Sequence, residues 1–443
     1  MGAKGLILGF SDFDLRTSVT RHIDDATAFK EKLLAWAQQF REVIFLDSND
    51  FPQAYTSFDA VLAVDALTSI RTDSGNAFED LSQYRRHTGD WLFGYLSYDL
   101  KNDIEDLHSS NFDGLDFPDL FFFQPKKLFL LNGNRLETHY LKMCDDEADG
   151  DFDAITHYPL SANDSAAPVF VKPRISQSGY LDKVSDMLAH IHRGDIYEAN
   201  FCMEFFADDA QIDPLVTFFK LNAISRPPFA AFLKNHHQYA LSASPERYLR
   251  KQGNKIISQP IKGTARRSVD PAEDARIKSE LVSSEKERSE NIMIVDLVRN
   301  DLSRTAEKGS VNVEELCGAY AFRQVHHLIS TVVSQSDAAP EDILKTTFPM
   351  GSMTGAPKIS AMQIIEKLED TKRGLYSGAI GYFTPDGNFD FNVVIRSILY
   401  NQHRNYVSLS VGSAITSLSD PQQEYNECLL KASAMRKVLS GDS

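Results

Sequence analysis

The hydrophobic positions of this chain follow two patterns, one with helical spacing and one typical of strands. Apolar residues three or four apart, bounded by capping residues, predict helices at 29–40 and 180–194, a long helix from about Ser284, and helices at 357–368 and 420–439. Runs rich in aromatic and β-branched residues predict strands at 91–98, 119–131, 229–233, 238–242, 255–261, 378–383, 389–400 and 406–415. The alternation in the last two strands agrees with an antiparallel sheet that buries one face.

One segment between these elements, 145–168, shows neither pattern. It is acidic first and then rich in Ser, Ala and Asn, which is typical of a linker. A chain of 443 residues is long enough for two domains or for one large domain with two lobes. We therefore predict an N-terminal lobe with its linker at 1–165 and a core at 170–440.

The composition of the chain disfavours several classes of binding partner and location. The net charge of −16 disfavours nucleic acid and anionic lipid as partners, and no apolar run approaches the roughly 20 residues of a membrane span. The first residues, Met1–Leu6, lack the apolar core of a signal peptide. The four cysteines lie far apart without a CxxC pair, which argues against disulfides and zinc and predicts a cytoplasmic location. A small anionic substrate would need a metal, arginines or helix N-termini to overcome the negative field.

Two predicted helices each carry a pair of glutamates on one face. Glu287 and Glu290 are three residues apart on the first of them. Glu424 and Glu427 repeat the spacing on the last helix, and Lys431 lies one turn further on. Such carboxylates can meet around Mg²⁺, which prefers oxygen ligands and keeps several waters. The alternative is that both pairs lie on solvated faces and form ordinary Glu–Lys pairs.

Two further residues have the chemistry of a reacting group. Lys262 follows a strand-like run in an apolar turn, where a desolvated amine loses its proton more readily and becomes a nucleophile. The alternative for Lys262 is an exposed turn lysine. Glu246 follows Pro245 at a strand end, where apolar surroundings would raise its pKa and make it a general acid. The alternative for Glu246 is an exposed carboxylate paired with Arg247.

Two other segments have weaker signals. The turn from Gly351 to Lys358 carries hydroxyl groups and enters a helix, which suits either an anion cradle or a plain helix cap. His326 and His327 lie in an apolar stretch without a cysteine or third histidine nearby, so they do not indicate a transition-metal site.

Taken together and in order, nine segments of the chain resemble the chorismate-utilising enzymes. That family comprises anthranilate synthase component I, aminodeoxychorismate synthase component I, and the isochorismate and salicylate synthases. The segments are GDIYEANF, SASPERYL, QPIKGTARR, KERSENIMIVDLVRNDL, VHHL, GSMTGAPK, RGLYSGAIGYF, FNVVIRSI and VGSAITSLSDPQQEYNECLLKA. The resemblance covers 177–438 strongly and the N-terminal lobe weakly. It implies an α+β fold of the anthranilate synthase component I type, with antiparallel sheets packed face to face and helices outside, in α/β/β/α layers.

The resemblance also implies roles for single residues in a Mg²⁺-dependent site for chorismate, a small dicarboxylate. Glu290 and Glu427 match the Mg²⁺ ligands, and Glu287 and Glu424 match their supporting carboxylates. Glu246 matches the general acid that helps the ring hydroxyl to leave. The matched substrate-binding positions are Arg396 and Tyr376, which hold the enolpyruvyl carboxylate, and Ser352, Gly412, His327 and Lys431.

Lys262 distinguishes the branches of the family. The sequence PIKGT is characteristic of aminodeoxychorismate synthases, whereas anthranilate synthases usually have alanine in place of the lysine. In the former branch the lysine attacks ring carbon 2 as the hydroxyl leaves carbon 4, and ammonia then displaces the lysine. Glu198 stands where the isochorismate and salicylate branches need a water-activating lysine, which disfavours water addition.

The resemblance thus implies amination of chorismate to 4-amino-4-deoxychorismate, the first step towards 4-aminobenzoate and folate. The alternatives are anthranilate synthase component I and a non-catalytic chorismate-binding subunit. The family draws ammonia from a glutamine amidotransferase, and its nucleophile motif, Gly-x-Cys-x-Gly, is absent from this sequence. We therefore expect a glutamine amidotransferase subunit as the partner.

Overall fold

The computed structural model describes residues 15–160, 167–323 and 325–441. Met1–Leu6 and part of the expected linker, 161–166, lie outside the described residues. The strands are β1 Arg16–His22, β2 Glu42–Asp47, β3 Ala60–Thr72, β4 Leu92–Leu96, β5 Leu120–Asn132, β6 Arg135–Leu141, β7 Lys172–Pro173, β8 Glu198–Ala207, β9 Phe229–Asn235, β10 Gln238–Ser244, β11 Arg247–Gln252, β12 Lys255–Gln259, β13 Ile261–Arg266, β14 Asn312–Ala321, β15 Val325–Gln335, β16 Gly355–Ala356, β17 Ala379–Phe383, β18 Phe389–Val393, β19 Ser397–Asn401 and β20 Tyr406–Thr416. The α-helices are α1 Ala26–Ala37, α2 Ala77–Thr88, α3 Lys101–Ile104, α4 Ala148–Thr156, α5 Gln177–Arg193, α6 Pro214–Ser225, α7 Pro271–Ser283, α8 Glu285–Ser303, α9 Pro340–Thr347, α10 Lys358–Leu368 and α11 Pro421–Ser440.

The strands form two antiparallel layers that are joined at β5. The first sheet runs in the order β1, β6, β5, β3, β2, β9, β10, β19, β20 and β8. The second sheet runs from β4 through β17, β18, β11 and β12 to β15, with β13 and β14 also paired to β15. Residues 127–132 of β5 pair with β6, and residues 120–123 of the same strand pair with β4.

The two faces of the first sheet contribute to different hydrophobic cores. Val43 and Phe45 of β2 join a core that also contains residues of α1, α5 and α11, while Ile44 joins a core that contains Phe391 of the second sheet. Alternate residues of a strand point to opposite faces, so the first sheet packs helices on one side and the second sheet on the other. On the far side of the second sheet, α8 and α9 bury residues such as Ile294 and Leu344. The predicted α+β fold with face-to-face antiparallel sheets and outer helices is confirmed.

Several local predictions are confirmed with small shifts of boundary. The helix expected at 29–40 is α1, and the helix expected at 420–439 is α11, whose N-cap Asp420 accepts a hydrogen bond from the backbone of Gln423. The long helix expected from Ser284 is α8, with the Ser284 side chain accepting a hydrogen bond from the backbone of Glu287. Gly194 ends α5 in the left-handed conformation, as expected of a C-terminal cap.

Three local expectations are wrong. Residues 148–156, expected within a linker, form α4, which follows the acidic residues Asp145–Glu147 and packs the ring of Phe152 6.1 Å from that of Phe29. The single strand expected at 389–400 is broken at Arg396, which has a φ of 52°. Lys262 lies within β13 rather than in a turn.

The strand pairing crosses the expected division of the chain. β2 pairs with β9 over six positions and β4 pairs with β17, so strands of the N-terminal part share both sheets with strands of the later part. The division at about residue 165 stays a prediction. Among the described residues, no helix is long and apolar enough to cross a membrane.

Candidate active site

A cavity of about 130 Å³ lies where the second sheet, α8 and α11 meet the ends of β8 and β20. All twelve residues predicted for the site line this cavity: Glu246, Lys262, Glu287, Glu290, His327, Ser352, Tyr376, Arg396, Gly412, Glu424, Glu427 and Lys431. They come from segments far apart in the sequence, and the fold brings them together. The roles of these residues stay predictions.

Lys262 lies in the wall of the cavity on β13. The register between β13 and β15 shifts after Lys262, at Gly263, whose φ is +87°. A Cβ at Gly263 would lie 3.1 Å from Oε2 of Glu287, so a glycine there allows β13 to approach α8 closely. The Nζ of Lys262 donates a hydrogen bond to Oε1 of Glu198 at 2.6 Å, and the lysine side chain is only 10% exposed. The alternative of a solvated turn lysine is therefore wrong.

Glu246 lies between β10 and β11, where it is buried at the cavity wall. Burial raises the pKa of Glu246 to about 7, because the charged carboxylate is disfavoured away from water. The expected alternative pair with Arg247 does not form, since the guanidinium of Arg247 binds Asp390 instead, at 2.9 Å. A carboxyl group with this pKa can give up a proton near neutral pH, which suits a general acid.

Two acidic pairs face the cavity from α8 and α11. Lys286 stands between them, with its Nζ 3.9 Å from Oε1 of Glu290 and 3.8 Å from Oε1 of Glu424. The Nζ of Lys431 lies 2.6 Å from Oε1 of Glu427 and donates a hydrogen bond to the carbonyl of Gly412 at 2.9 Å. The glutamates are therefore neither fully solvated nor fully paired.

The charges of these glutamates differ. Burial raises the pKa of Glu290 to about 7, and burial also raises the pKa of Glu287 and of Glu424. Burial acts in the same direction on Glu427, but Lys431 outweighs it and holds the pKa of Glu427 below its usual value. Oε1 of Glu290 is buried without a hydrogen-bond partner among the described residues. The four carboxylates outnumber the two lysines beside them, Lys286 and Lys431, so a cation between the helices would stabilise the set.

The lining also carries groups suited to a carboxylate ligand. Arg396 lies at the break between β18 and β19, and Tyr376 is buried beside it in the lining. The hydroxyl of Ser352 is buried without a hydrogen-bond partner among the described residues. Lys358 holds the turn that carries Ser352, since its Nζ donates to Oδ2 of Asp301 at 2.6 Å and to the carbonyl of Thr347 at 3.1 Å.

His327 and Gly412 shape the cavity without adding charge. Burial lowers the pKa of His327 to about 3, and the nearby positive charge of Arg396 acts in the same direction, so the imidazole is neutral at physiological pH. A Cβ at Gly412 would lie 2.7 Å from Sγ of Cys202 and 2.9 Å from Oδ1 of Asn200, so no larger residue fits there.

Sequence reasoning missed the contact made by one residue behind the cavity wall. The sequence shows only that Glu198 replaces the water-activating lysine of the isochorismate and salicylate branches. In the structure its carboxylate accepts the hydrogen bond from Lys262. The two residues are 64 positions apart, so no local pattern relates them. The available signal was an acid at the start of an otherwise apolar strand, β8.

Comparison with known proteins identifies the family of the chain. The family described as chorismate binding enzyme matches residues 41–437, and the chain belongs to this family. A rice (Oryza sativa subsp. japonica) protein named "Probable aminodeoxychorismate synthase, chloroplastic" is 36% identical over 387 residues, covering 78% of this chain and 43% of the rice protein. The Klebsiella aerogenes protein named "Aminodeoxychorismate synthase component 1" is 35% identical over 336 residues, covering 75% of this chain and 74% of that protein.

A solved structure supports the fold. The anthranilate synthase component I from Streptococcus pneumoniae TIGR4 matches with a TM-score of 0.77 and 24% identity, over 87% of this chain and 94% of that one. This chain spans less than half the length of the rice relative, so the activity of the whole relative does not pass directly to it.

Proposed function

We propose that this chain aminates chorismate to 4-amino-4-deoxychorismate, a product that would feed the synthesis of 4-aminobenzoate and folate in the cytoplasm. The observation that carries the proposal is the position of Lys262, buried in the wall of a cavity that also holds a carboxyl group with a pKa near neutral, Glu246. A nucleophile and an acid in one cavity are the two groups that a substitution through a covalent adduct requires.

The proposed reaction has two displacements. The free amine of Lys262 attacks ring carbon 2, the ring double bonds shift, and the bond from carbon 4 to its hydroxyl breaks while Glu246 protonates the leaving oxygen. Ammonia then attacks carbon 4, the double bonds shift back, and the lysine leaves carbon 2 as a neutral amine. Glu246 recovers a proton from the new ammonium group. The sum is chorismate plus ammonia giving 4-amino-4-deoxychorismate plus water.

The acidic pairs fit a magnesium ion. Glu290 and Glu427 would bind it, with Glu287 and Glu424 supporting them, and the unpartnered Oε1 of Glu290 agrees with this role. The described residues contain no group of three or more His, Cys, Asp or Glu already placed around one metal position. Magnesium is commonly bound through one or two carboxylates plus substrate and water, so a two-carboxylate site suits it. Bound there, the ion would neutralise the ring carboxylate of chorismate.

Other lining residues would hold the second carboxylate of the substrate. Arg396 and Tyr376 are proposed to bind the enolpyruvyl carboxylate, because both line the cavity and a guanidinium binds carboxylates through charge-assisted hydrogen bonds. Ser352, His327, Gly412 and Lys431 would complete the pocket around the ring. In this proposal the two carboxylates of the substrate are bound by different groups, one by the magnesium ion and the other by Arg396 and Tyr376.

We further propose that ammonia comes from a glutamine amidotransferase partner. The support is the name of the Klebsiella relative, which is a component 1 and so implies a second component. The isolated chain should therefore use ammonium but not glutamine as its nitrogen source.

The test is a product assay with chorismate, magnesium and ammonium at mildly alkaline pH, with products separated by chromatography and identified by mass. We expect 4-amino-4-deoxychorismate from the wild-type chain, and none from Lys262→Ala, which should still bind magnesium. Lys255→Ala is the matched control, because Lys255 lies on the adjacent strand and pairs with Glu314 outside the cavity. Anthranilate and pyruvate as products would show an anthranilate synthase. No turnover of chorismate at all would show a non-catalytic subunit.

A further inference from the structure

Glu198 is a buried carboxylate that the proposed reaction does not yet use. It is the first residue of β8, and its backbone is fixed from two sides by pairing with Ala356 of β16 and Thr416 of β20. Its side chain is 1% exposed, and Oε1 accepts the hydrogen bond from Lys262 at 2.6 Å. Its second oxygen, Oε2, is buried without a partner among the described residues.

Lys262 must lose a proton before it can act as a nucleophile, because an ammonium group has no free electron pair. Burial would lower the pKa of Lys262, but the charge and hydrogen bond of Glu198, together with the charges of Glu290 and Glu246, outweigh burial and raise that pKa above its usual value. In the free protein the lysine is therefore protonated at neutral pH. The other titratable or charged groups that line the cavity are Glu246, Lys286, Glu287, Glu290, His327, Tyr376, Arg396, Glu424, Glu427 and Lys431.

We infer that Glu198 takes the proton from Lys262 as the amine attacks the substrate and returns it when the amine leaves. This inference rests on the proposed function. One N–H bond of Lys262 breaks and one O–H bond forms on Glu198, so an ion pair becomes a neutral pair of amine and carboxylic acid. After ammonia has displaced the lysine from carbon 2, the proton returns from Glu198 to the amine, and both groups regain their starting charges.

Two features of the site favour Glu198 over the other carboxylates. Glu246 must begin the reaction protonated, so it cannot also accept a proton from the lysine. Glu290 belongs to the acidic pairs that face the proposed cation. Glu198 is in hydrogen-bond contact with Nζ, and its Oε2 has no partner among the described residues, so that oxygen is available to hold the proton.

The main test compares the variants Glu198→Gln and Glu198→Asp in the ammonium-dependent product assay. Gln keeps the size of Glu198 and can accept a hydrogen bond but cannot take a proton, so we expect kcat to fall about 100-fold. Asp keeps the carboxylate at a greater distance and should restore part of the loss. The KM for chorismate and the magnesium requirement should change little. Glu341→Gln is the matched control, because Glu341 is a buried carboxylate paired with Arg85 outside the cavity.

A second measurement separates proton transfer from a purely structural role. The pH dependence of Lys262 acetylation, followed by peptide mass spectrometry, reports the pKa of the lysine directly. Glu198 raises that pKa, so Glu198→Gln should make Lys262 reactive at lower pH than in the wild type. A variant whose lysine is more often free but whose kcat is lower would support the inference.

Other outcomes would overturn it. If Glu198→Gln aminates chorismate at the wild-type rate or faster at neutral pH, Glu198 only holds the lysine protonated, and the proposed function stands without this inference. If the wild-type chain makes no 4-amino-4-deoxychorismate, the proposed function fails and the inference fails with it. Should Glu198→Gln not fold, Glu198→Asn decides the question, since Asn also cannot take a proton and an undiminished kcat in that variant would overturn the inference.

Discussion

The buried ion pair of Arg16 and Asp90 in the N-terminal part of the molecule has its hydrogen bonds satisfied on both sides, whereas the charges around the cavity are only partly paired. Arg16 and Asp90 form an ion pair at 2.7 Å, and both side chains are at most 5% exposed. Gln124 donates a further hydrogen bond to Asp90 at 2.8 Å, and the carbonyl of Pro125 accepts one from Arg16 at 2.6 Å. Around the cavity, by contrast, Oε1 of Glu290 and Oε2 of Glu198 have no hydrogen-bond partner within the described residues.

The contrast distinguishes charges that stabilise the fold from charges that are available to bind a ligand. Buried polar groups in native proteins are nearly always hydrogen-bonded, and an unpaired buried charge is expensive. A missing partner alone is not enough to mark a site, because the hydroxyls of Tyr95 and Tyr98 are also unpartnered and lie away from the cavity. What marks the cavity is that it brings together the unpartnered Oε1 of Glu290, the unpartnered hydroxyl of Ser352 and four glutamates on two helices.

The largest expected effect is the loss of kcat when Glu246 is substituted. Glu246→Gln cannot donate a proton to the leaving hydroxyl, so we expect kcat for amination to fall about 10²- to 10⁴-fold. Initial rates with saturating chorismate, magnesium and ammonium would measure this. Glu314→Gln is the control, since Glu314 pairs with Lys255 outside the cavity. A kcat within threefold of wild type would remove Glu246 from the chemistry.

A substitution in the ion pair of Arg16 and Asp90 should lower stability rather than kcat. Asp90→Asn leaves the guanidinium of Arg16 buried without its counter-charge, and breaking a buried pair from one side costs about 3–5 kcal/mol of stability. We expect a lower melting temperature with an unchanged kcat for the molecules that remain folded. Thermal unfolding followed by circular dichroism, with kcat measured well below the transition, checks both. A large loss of kcat in folded protein would break the comparison between the two regions.

A smaller effect is expected for the proposed magnesium site. Glu427→Gln removes a charged ligand, so the magnesium concentration needed for half-maximal rate should rise by about 10- to 100-fold. A magnesium titration of the initial rate measures this, and Asn426→Ala, an exposed change on the same helix, is the control. An unchanged magnesium dependence would exclude Glu427 as a ligand.

Local signals predicted much of the fold but not the contacts across it. The caps at Ser284 and Asp420 are encoded within four residues of each helix start, so both helices could be placed from the sequence. The twelve site residues were found through motif spacing rather than through geometry. The ion pair of Lys262 with Glu198 depends on the register of β8 and β13 in separate parts of the fold, which no local pattern encodes.

Two local features escaped prediction for different reasons. The acidic residues Asp145–Glu147 are favourable at the N-terminus of a helix and so indicate α4, but the Ser, Ala and Asn residues after it favour a linker. The break at Arg396 has no glycine or proline to announce it, although its left-handed φ of 52° is unusual for arginine. Strain of this kind is often found at functional positions, and here it aims Arg396 at the cavity.

The smallest expected effect is on the free energy of unfolding. Neutralising a buried carboxylate should stabilise the fold at Glu246, in the cavity wall, and destabilise it at Glu341, which is ion-paired. Folding raises the pKa of Glu246 from 4.5 to about 7, so its charged form destabilises the folded state. The penalty is absent below pH 4.5, grows as the pH rises through this window, and reaches about 3 kcal/mol above pH 7. Glu246→Gln carries no charge, so it should raise the melting temperature by about 3 °C at pH 8 and leave it unchanged at pH 4.5.

Glu341→Gln provides the opposing measurement. Glu341 is paired with Arg85, so its loss should lower the melting temperature at pH 8, where Glu246→Gln raises it. Melting curves of the wild type and both variants at the two pH values test the pair together. If Glu246→Gln also lowers the melting temperature at pH 8, Glu246 stabilises the fold like the carboxylates of the N-terminal part. A rise would show that the cavity keeps an acid that weakens the fold, which is expected of a group retained for chemistry.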